Sequence, residues 1–185
     1  MGPSVDRRRF LGFVAGGAAG LGLAACGARN PAAGDQVGRL VSHGIRYRYG
    51  PAVRQAAELI LPPGVGRRGP RLPVMALFHG GAWAAGGRRR DVWPVARALS
   101  LRGYAVWNVD YRTNGTGEGG GWPNTYKDAA SAVDLLDVVA RRWPIDPASV
   151  LTIGWSAGGT LAAWTAARSG LPKGCLLYTS DAADE

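Results

Sequence analysis

The hexapeptide Gly154-Trp155-Ser156-Ala157-Gly158-Gly159 constrains this chain more than any other stretch. An apolar run, Val150 to Ile153, leads into it, and a helical run, Ala157 to Arg168, leads away. A serine in a sharp turn between a buried strand and a helix is the setting of the nucleophile elbow, G-x-S-x-G. The turn holds the serine in a strained backbone conformation, so its hydroxyl stands clear of the sheet. Glycines two before and two after it admit the close approach of strand and helix. With 29 glycines in 185 residues, the bare pattern arises easily by chance. The flanking strand and helix, more than the letters, make Ser156 a candidate nucleophile.

The rest of the chain supplies elements that such an elbow needs. Val41 to Tyr49 and Gln55 to Leu61 read as an antiparallel hairpin across Gly50-Pro51. Leu72 to Phe78 is a continuous apolar run, as expected of a strand covered on both faces. Asp91 to Arg102 reads as a helix with Val92, Val95, Ala96 and Leu99 on one face, stopped by Gly103. Tyr104 to Val109 is another buried strand, and Thr113 to Trp122 a Gly-rich loop. Asn124 to Arg142 is a helix with Ala129, Val133, Leu136 and Ala140 in line, closed by Trp143 to Pro147. Strand 150–153 and helix 157–168 follow, with Gly170 and Pro172 ending the last helix. This alternation predicts an α/β fold with a mostly parallel sheet and helices on both faces.

Length allows one domain, and 46% hydrophobic residues imply a packed core. The formal charge of +9 comes almost wholly from arginine. Those arginines are dispersed, whereas a nucleic-acid binder concentrates them on one element or interleaves them with aromatics. No nucleic-acid partner is expected, and Arg88-Arg89-Arg90 reads as part of a solvated basic surface.

Both ends read differently from the middle. Residues 1–26 form an export signal: Arg7-Arg8-Arg9-Phe10-Leu11 resembles a twin-arginine motif. The apolar run Leu11 to Ala25 is short of the ~20 residues that a membrane span needs. Leu23-Ala24-Ala25-Cys26 resembles a bacterial lipobox, in which Cys26 is lipidated and becomes the mature N-terminus. Acyl chains there would anchor an exported lipoprotein to the outer face of the cell membrane; without them the protein would be secreted. Residues 27–38, rich in Ala, Gly and Pro, read as a flexible tether, and 39–174 as the folded α/β domain, a partial one. Residues 175–185 resemble a translated sequencing adapter, which would leave the domain C-terminally truncated. The two cysteines, Cys26 and Cys175, form no disulfide if Cys26 carries lipid.

The motifs between the ends carry the chemistry. His79-Gly80-Gly81-Ala82-Trp83 follows a buried strand, where glycines can turn backbone amides toward a developing oxyanion. Ala157, just after Ser156 at a helix start, offers another amide. His79 reads as a brace for its loop rather than as a base, and His43 as a surface residue. Gly115-Thr116-Gly117-Glu118-Gly119-Gly120 matches G-x-G-x-x-G, but Trp122-Pro123-Asn124 separate it from the next helix. A dinucleotide fingerprint opens its helix directly, so the stretch reads as a loop rimming the site, with no cofactor implied. Asp128, Asp134 and Asp137 lie on a helix with no histidine near, and read as a solvated face rather than a metal site.

Taken together, His-Gly-Gly-Ala-Trp, Asp110-Tyr111-Arg112, Ile145-Asp146-Pro147 and Gly-Trp-Ser-Ala-Gly-Gly resemble an α/β-hydrolase. Within that fold the chain is similar to the serine esterase/lipase group with the His-Gly-Gly oxyanion motif. That group includes carboxylesterases, acetyl- and feruloyl-esterase-like enzymes, and kynurenine formamidase-like enzymes. The resemblance implies a hydrolase of small-molecule carboxylic esters needing no cofactor or metal. An amidase on the same fold and a non-catalytic binding lipoprotein are its alternatives. It implies Ser156 as nucleophile and the amides of Gly81, Ala82 and Ala157 as the oxyanion hole. Trp83 and Trp155 would lie near the acyl or alcohol pocket. The family's triad runs Ser, then Asp or Glu, then His. No histidine follows His79 here, so this chain is expected to hold the nucleophile and oxyanion half of the machinery and to be inactive alone.

Overall fold

A computed structural model describes residues 44–115 and 117–168. The readings for the signal, Cys26, the tether, His43, the stop at Gly170 and Pro172, and the tail lie outside the described residues. Five strands form one sheet: β1 (Ile45–Arg48), β2 (Ala56–Ile60), β3 (Leu72–Phe78), β4 (Ala105–Val109) and β5 (Ile145–Gly154). Three helices accompany them: α1 (Trp93–Ser100), α2 (Asn124–Val139) and α3 (Ala157–Ala167); a 3-10 turn, Arg89–Val92, leads into α1. The strand order is β1-β2-β4-β3-β5. β1 and β2 pair antiparallel, as do β2 and β4, while β3 runs parallel to both β4 and β5. The two crossovers, β3–α1–β4 and β4–α2–β5, make β3 the central strand between two parallel neighbours.

Side-chain alternation on β3 sorts the core into two layers. Met75 and Leu77 face one side, with Ile60, Val106, and Val92 and Ala96 from the 3-10 turn and α1. Val74, Ala76 and Phe78 face the other, with Trp107, Ala129, Leu136 and Leu161 from β4, α2 and α3. Helices therefore cover both faces, as the apolar runs predict. Trp107 is fully buried, and its Nε1 donates to the Ala132 carbonyl at 2.7 Å, which fastens α2 to the middle of the sheet.

Three element boundaries depart from the sequence reading. β5 starts at Ile145 rather than 150, because Ile145 pairs with Leu72 and Asp146 with Pro73 before the regular ladder resumes at Val74↔Val150. Residues 147–149 are thus an irregularity opposite the Pro73/Val74 step. Pro147 is tolerated there because β5 has no strand on its other side among the described residues. α2 stops at Val139 rather than Arg142, and the last three residues form turns closed by Arg142 N–H to Val139 O at 3.0 Å. α1 proper starts only at Trp93, with Pro94 in its first turn.

Candidate active site

The elbow is built where β5 ends. Ser156 has φ 54° and ψ −123°, a conformation that L-residues rarely adopt, and it caps α3. The glycines around it are sterically required. A Cβ on Gly154 would run into the Gly158 carbonyl, and one on Gly158 into the carbonyls of Phe78 and His79. Helix α3 can thus sit directly on the ends of β3 and β5, and Ser156 is left exposed above the sheet.

The loop after β3 lies against this turn. A Cβ on Gly80 would stand 2.8 Å from the Trp155 carbonyl oxygen and 3.4 Å from Ser156 Cβ. Gly81 (φ 124°), Ala82 (φ 50°) and Trp83 (φ 64°) all have positive φ, so the chain turns sharply just beside the serine. Two of these three are not glycine, which stores strain that the surroundings must hold. The backbone amides of Gly81, Ala82 and Ala157 donate to no protein acceptor among the described hydrogen bonds. Three free donors near one exposed serine hydroxyl form a potential anion cradle.

A buried polar network holds that loop from behind. His79 is fully buried and stacks on Tyr111 at 4.2 Å between ring centroids. Its Nδ1 lies 2.7 Å from the Gly80 carbonyl, and its Nε2 is 3.2 Å from Asp110 Oδ1 in an oblique contact. The Tyr111 hydroxyl donates to the His79 carbonyl at 2.5 Å. His79 therefore braces the loop, as the sequence suggests. Asp110 also accepts from the Arg89 amide at 3.2 Å and the Arg89 guanidinium at 2.9 Å. Burial pushes the Asp110 carboxyl up, but the His79 ring and the Arg89 amide and guanidinium outweigh it and hold the carboxyl below its ordinary value.

Arg54 and Arg89 depart from the solvated basic surface read from sequence. Arg54 is 4% exposed. It donates to the carbonyls of Gly87, at 2.5 Å, and Ala85, and its Nε contacts the Glu118 carboxylate. It thereby ties the β1–β2 turn to the oxyanion-type loop and to the Gly-rich loop. Asp128 likewise is no solvated helix residue, being 1% exposed. Its carboxylate takes Arg112 Nε at 2.9 Å and NH2 at 2.8 Å, the Arg112 amide at 2.9 Å, and Gln55 Nε2 at 2.8 Å. The physical reason is topological: the Asp110–Arg112 turn lands on the first half of α2, where the buried Asp128 carboxylate needs a cation and the half-buried Arg112 guanidinium supplies it. Asp134 pairs with Arg168 at 3.1 Å, and Asp137 is exposed.

Where the loop after β3 meets the Gly-rich loop and α2, a cleft of about 210 Å³ is lined by Trp83, Asn114, Gly121, Trp122, Thr125 and Tyr126. Trp83 stacks on Tyr126 at 6.2 Å, and Trp122 and Trp164 meet the same ring edge-on at 5.3 and 5.2 Å. Trp155 is 74% exposed on the elbow and does not line this cleft. The Gly-rich loop forms its rim and is tethered by Asn114 N–H to Trp83 O at 2.8 Å. Sequence reasoning singled out Trp83 but missed Trp122, Tyr126 and Asn114. At helix or loop positions these residue types look like ordinary packing until the loops are folded together.

The profile of the BD-FAE family matches residues 59–181, well over half of the chain. The chain is a member of the BD-FAE family. Solved structures place this BD-FAE chain in the α/β-hydrolase fold. The thermophilic esterase Est2 of Thermogutta terrifontis superposes with a TM-score of 0.58 at 25% identity, covering 69% of this chain and 47% of Est2. A bacterial heroin esterase gives 0.58 at 25% identity, covering 76% of this chain and 46% of its own. A bifunctional GH43-CE protein of Bacteroides eggerthii gives 0.56 at 23% identity, covering 67% and 17%. Among curated proteins, a non-reducing polyketide synthase, pkbA of Emericella nidulans, is 29% identical over 128 residues, 66% of this chain and 5% of that protein. This BD-FAE chain thus spans less than half the length of the proteins it matches.

Proposed function

We propose that this chain carries the nucleophile and oxyanion half of a serine hydrolase acting on carboxylic esters. The observation that carries the reading is the exposed Ser156 at φ 54° with the undonated amides of Gly81, Ala82 and Ala157 beside it. Ser156 Oγ attacks the ester carbonyl carbon, and the carbonyl oxygen gains negative charge where those amides can donate hydrogen bonds to it. Collapse expels the alcohol, which carries away the proton that a base takes from Ser156, and leaves an acyl-serine, which water then hydrolyses to the carboxylic acid and free serine. Serine is a weak nucleophile without a base. His79 does not fill that role, since it is buried and both its ring nitrogens face protein oxygens. The base and its acid partner are assigned to sequence C-terminal to Ser156, following the order Ser, Asp or Glu, His. The aromatic cleft of Trp83, Trp122 and Tyr126 favours a flat or apolar group on the ester.

In the full-length protein, Ser156→Ala should abolish both turnover of a short-chain p-nitrophenyl ester and labelling by a fluorophosphonate. Labelling of that variant at the wild-type rate would sink the assignment. We further propose that Cys26 is lipidated after export, on the strength of the Leu23-Ala24-Ala25-Cys26 sequence. Metabolic labelling with an alkyne fatty acid should mark the wild-type protein and leave Cys26→Ala unmarked and released from membranes; equal marking of the two would refute it.

A further inference from the structure

The loop that touches Ser156 through Gly80 lines a second cleft through its far end. That cleft, of about 300 Å³, is lined by Arg46 on β1, Val53 and Arg54 in the β1–β2 turn, Arg88 at the end of the loop, Arg89 and Arg90 in the 3-10 turn that follows, and Asp110 after β4. Five guanidiniums thus face one lining carboxylate. Their hydrogen-bonding capacity divides into two tiers. Arg54 is fully engaged by the carbonyls of Ala85 and Gly87 and by Glu118, and Arg89 by Asp110 and Glu58. These two form a neutralised floor. At the rim, Arg46 makes no ion pair among the described residues. Arg88 reaches only Glu118, at 3.6 Å, and Arg90 only Asp91, at 3.7 Å through Nε, with its side chain 82% exposed. Three rim forks therefore share one cavity with donors to spare.

We propose that this cleft binds a phosphate group between Arg46, Arg88 and Arg90. A phosphate presents more acceptor oxygens than a carboxylate, arranged tetrahedrally, and can therefore accept from three forks at once. Every cation lining the cleft is arginine, the side chain suited to planar two-pronged recognition of such groups. None of the residues lining the cleft is aromatic, so it offers no surface on which a nucleic-acid base would stack. Its size suits a phosphate or a small phosphate ester rather than a polymer. The rim guanidiniums are open to solvent, so affinity falls as chloride is added. The site stands or falls independently of the hydrolase reading, because it shares no residue with the elbow or the aromatic cleft.

The test is calorimetric titration of the full-length protein with inorganic phosphate and with glycerol phosphate at fixed ionic strength. Arg46→Gln combined with Arg90→Gln removes two rim forks without touching the floor. Saturable binding should weaken about tenfold or more in that variant, as expected for lost charge-assisted hydrogen bonds. Arg68→Gln combined with Arg71→Gln removes the same charge from exposed positions outside the cleft and should leave binding unchanged. Sedimentation with phosphatidylglycerol vesicles, against phosphatidylcholine vesicles, separates the two sources. Rim-dependent binding to vesicles alone assigns a lipid headgroup, and rim-dependent binding of the soluble phosphates assigns a free ligand. Equal weakening in both double variants would reduce the effect to net charge and overturn the site. So would the absence of saturable binding to every probe.

Discussion

At the scale of single residues, the site depends on a few positions where a side chain cannot be added. Gly80 has its missing Cβ aimed at the Trp155 carbonyl, 2.8 Å away, and it decides how closely the oxyanion-type loop approaches Ser156. Gly80→Ala should push the loop off the elbow. A misplacement of even a fraction of an ångström should lower kcat about tenfold or more, while overpacking destabilises by about 1–3 kcal/mol. Unchanged kcat on a p-nitrophenyl ester, with stability alone reduced, would show that the loop does not act with Ser156. The residues legible from sequence at this scale were those whose partners are local. Ser156 and Ala157 are read from six consecutive letters, and Gly81 and Ala82 from five. Arg54 was illegible because the carbonyls it holds lie 31 and 33 residues away, and Asp128 because Gln55 lies 73 away. A charged residue reads as solvated until the fold supplies its partner.

At the scale of elements, β4 and α2 are joined by one aromatic side chain. Trp107 is fully buried, tilts against Tyr47 at 5.7 Å and donates to Ala132 on α2. Trp107→Ala should cost about 3–5 kcal/mol in urea denaturation, since it leaves a large cavity between sheet and helix. Trp107→Phe keeps much of the packing and should cost about 1 kcal/mol or a little more for the lost hydrogen bond. Equal losses in the two variants would mean that the hydrogen bond, rather than the filled volume, fixes α2. Because α2 also carries Asp128 and Tyr126, a shift of this helix would disturb the Arg112 clamp and the aromatic cleft together. The elements themselves were largely legible, because strands covered on both faces appear as unbroken apolar runs. β3 was read to its last residue. β5 was read too short, because Asp146 and Pro147 disguise a strand that still pairs through Ile145.

At the scale of the whole molecule, the polar network behind the site sets a window of pH. The Tyr49 hydroxyl donates to the Asp110 carbonyl at 2.5 Å, and Tyr111 to His79. Burial first, and then nearby carboxylates (Asp128 ahead of Asp110 for Tyr49, Asp110 for Tyr111), raises both phenols above their ordinary value of 10.0. A folded chain that keeps these protons while the unfolded chain releases them loses stability as pH climbs past 10.0, by about 1.4 kcal/mol per pH unit for each tyrosine. Below 10.0 that contribution is complete. Asp110 works in the opposite direction: its carboxyl is held below 3.8, so its contribution is complete above that value and lost as pH falls through the folded-state pKa. Urea midpoints should therefore form a plateau between the two limits and fall on both sides, more steeply on the alkaline one, where two groups act. Tyr111→Phe should roughly halve the alkaline slope, at the cost of its bond to His79. An alkaline slope that Tyr111→Phe leaves unchanged would assign the loss to other groups. The acid limb tests the same network from its centre: Asp110→Asn should flatten it while lowering the plateau, since Arg89 and Arg54 would then lack their buried carboxylate.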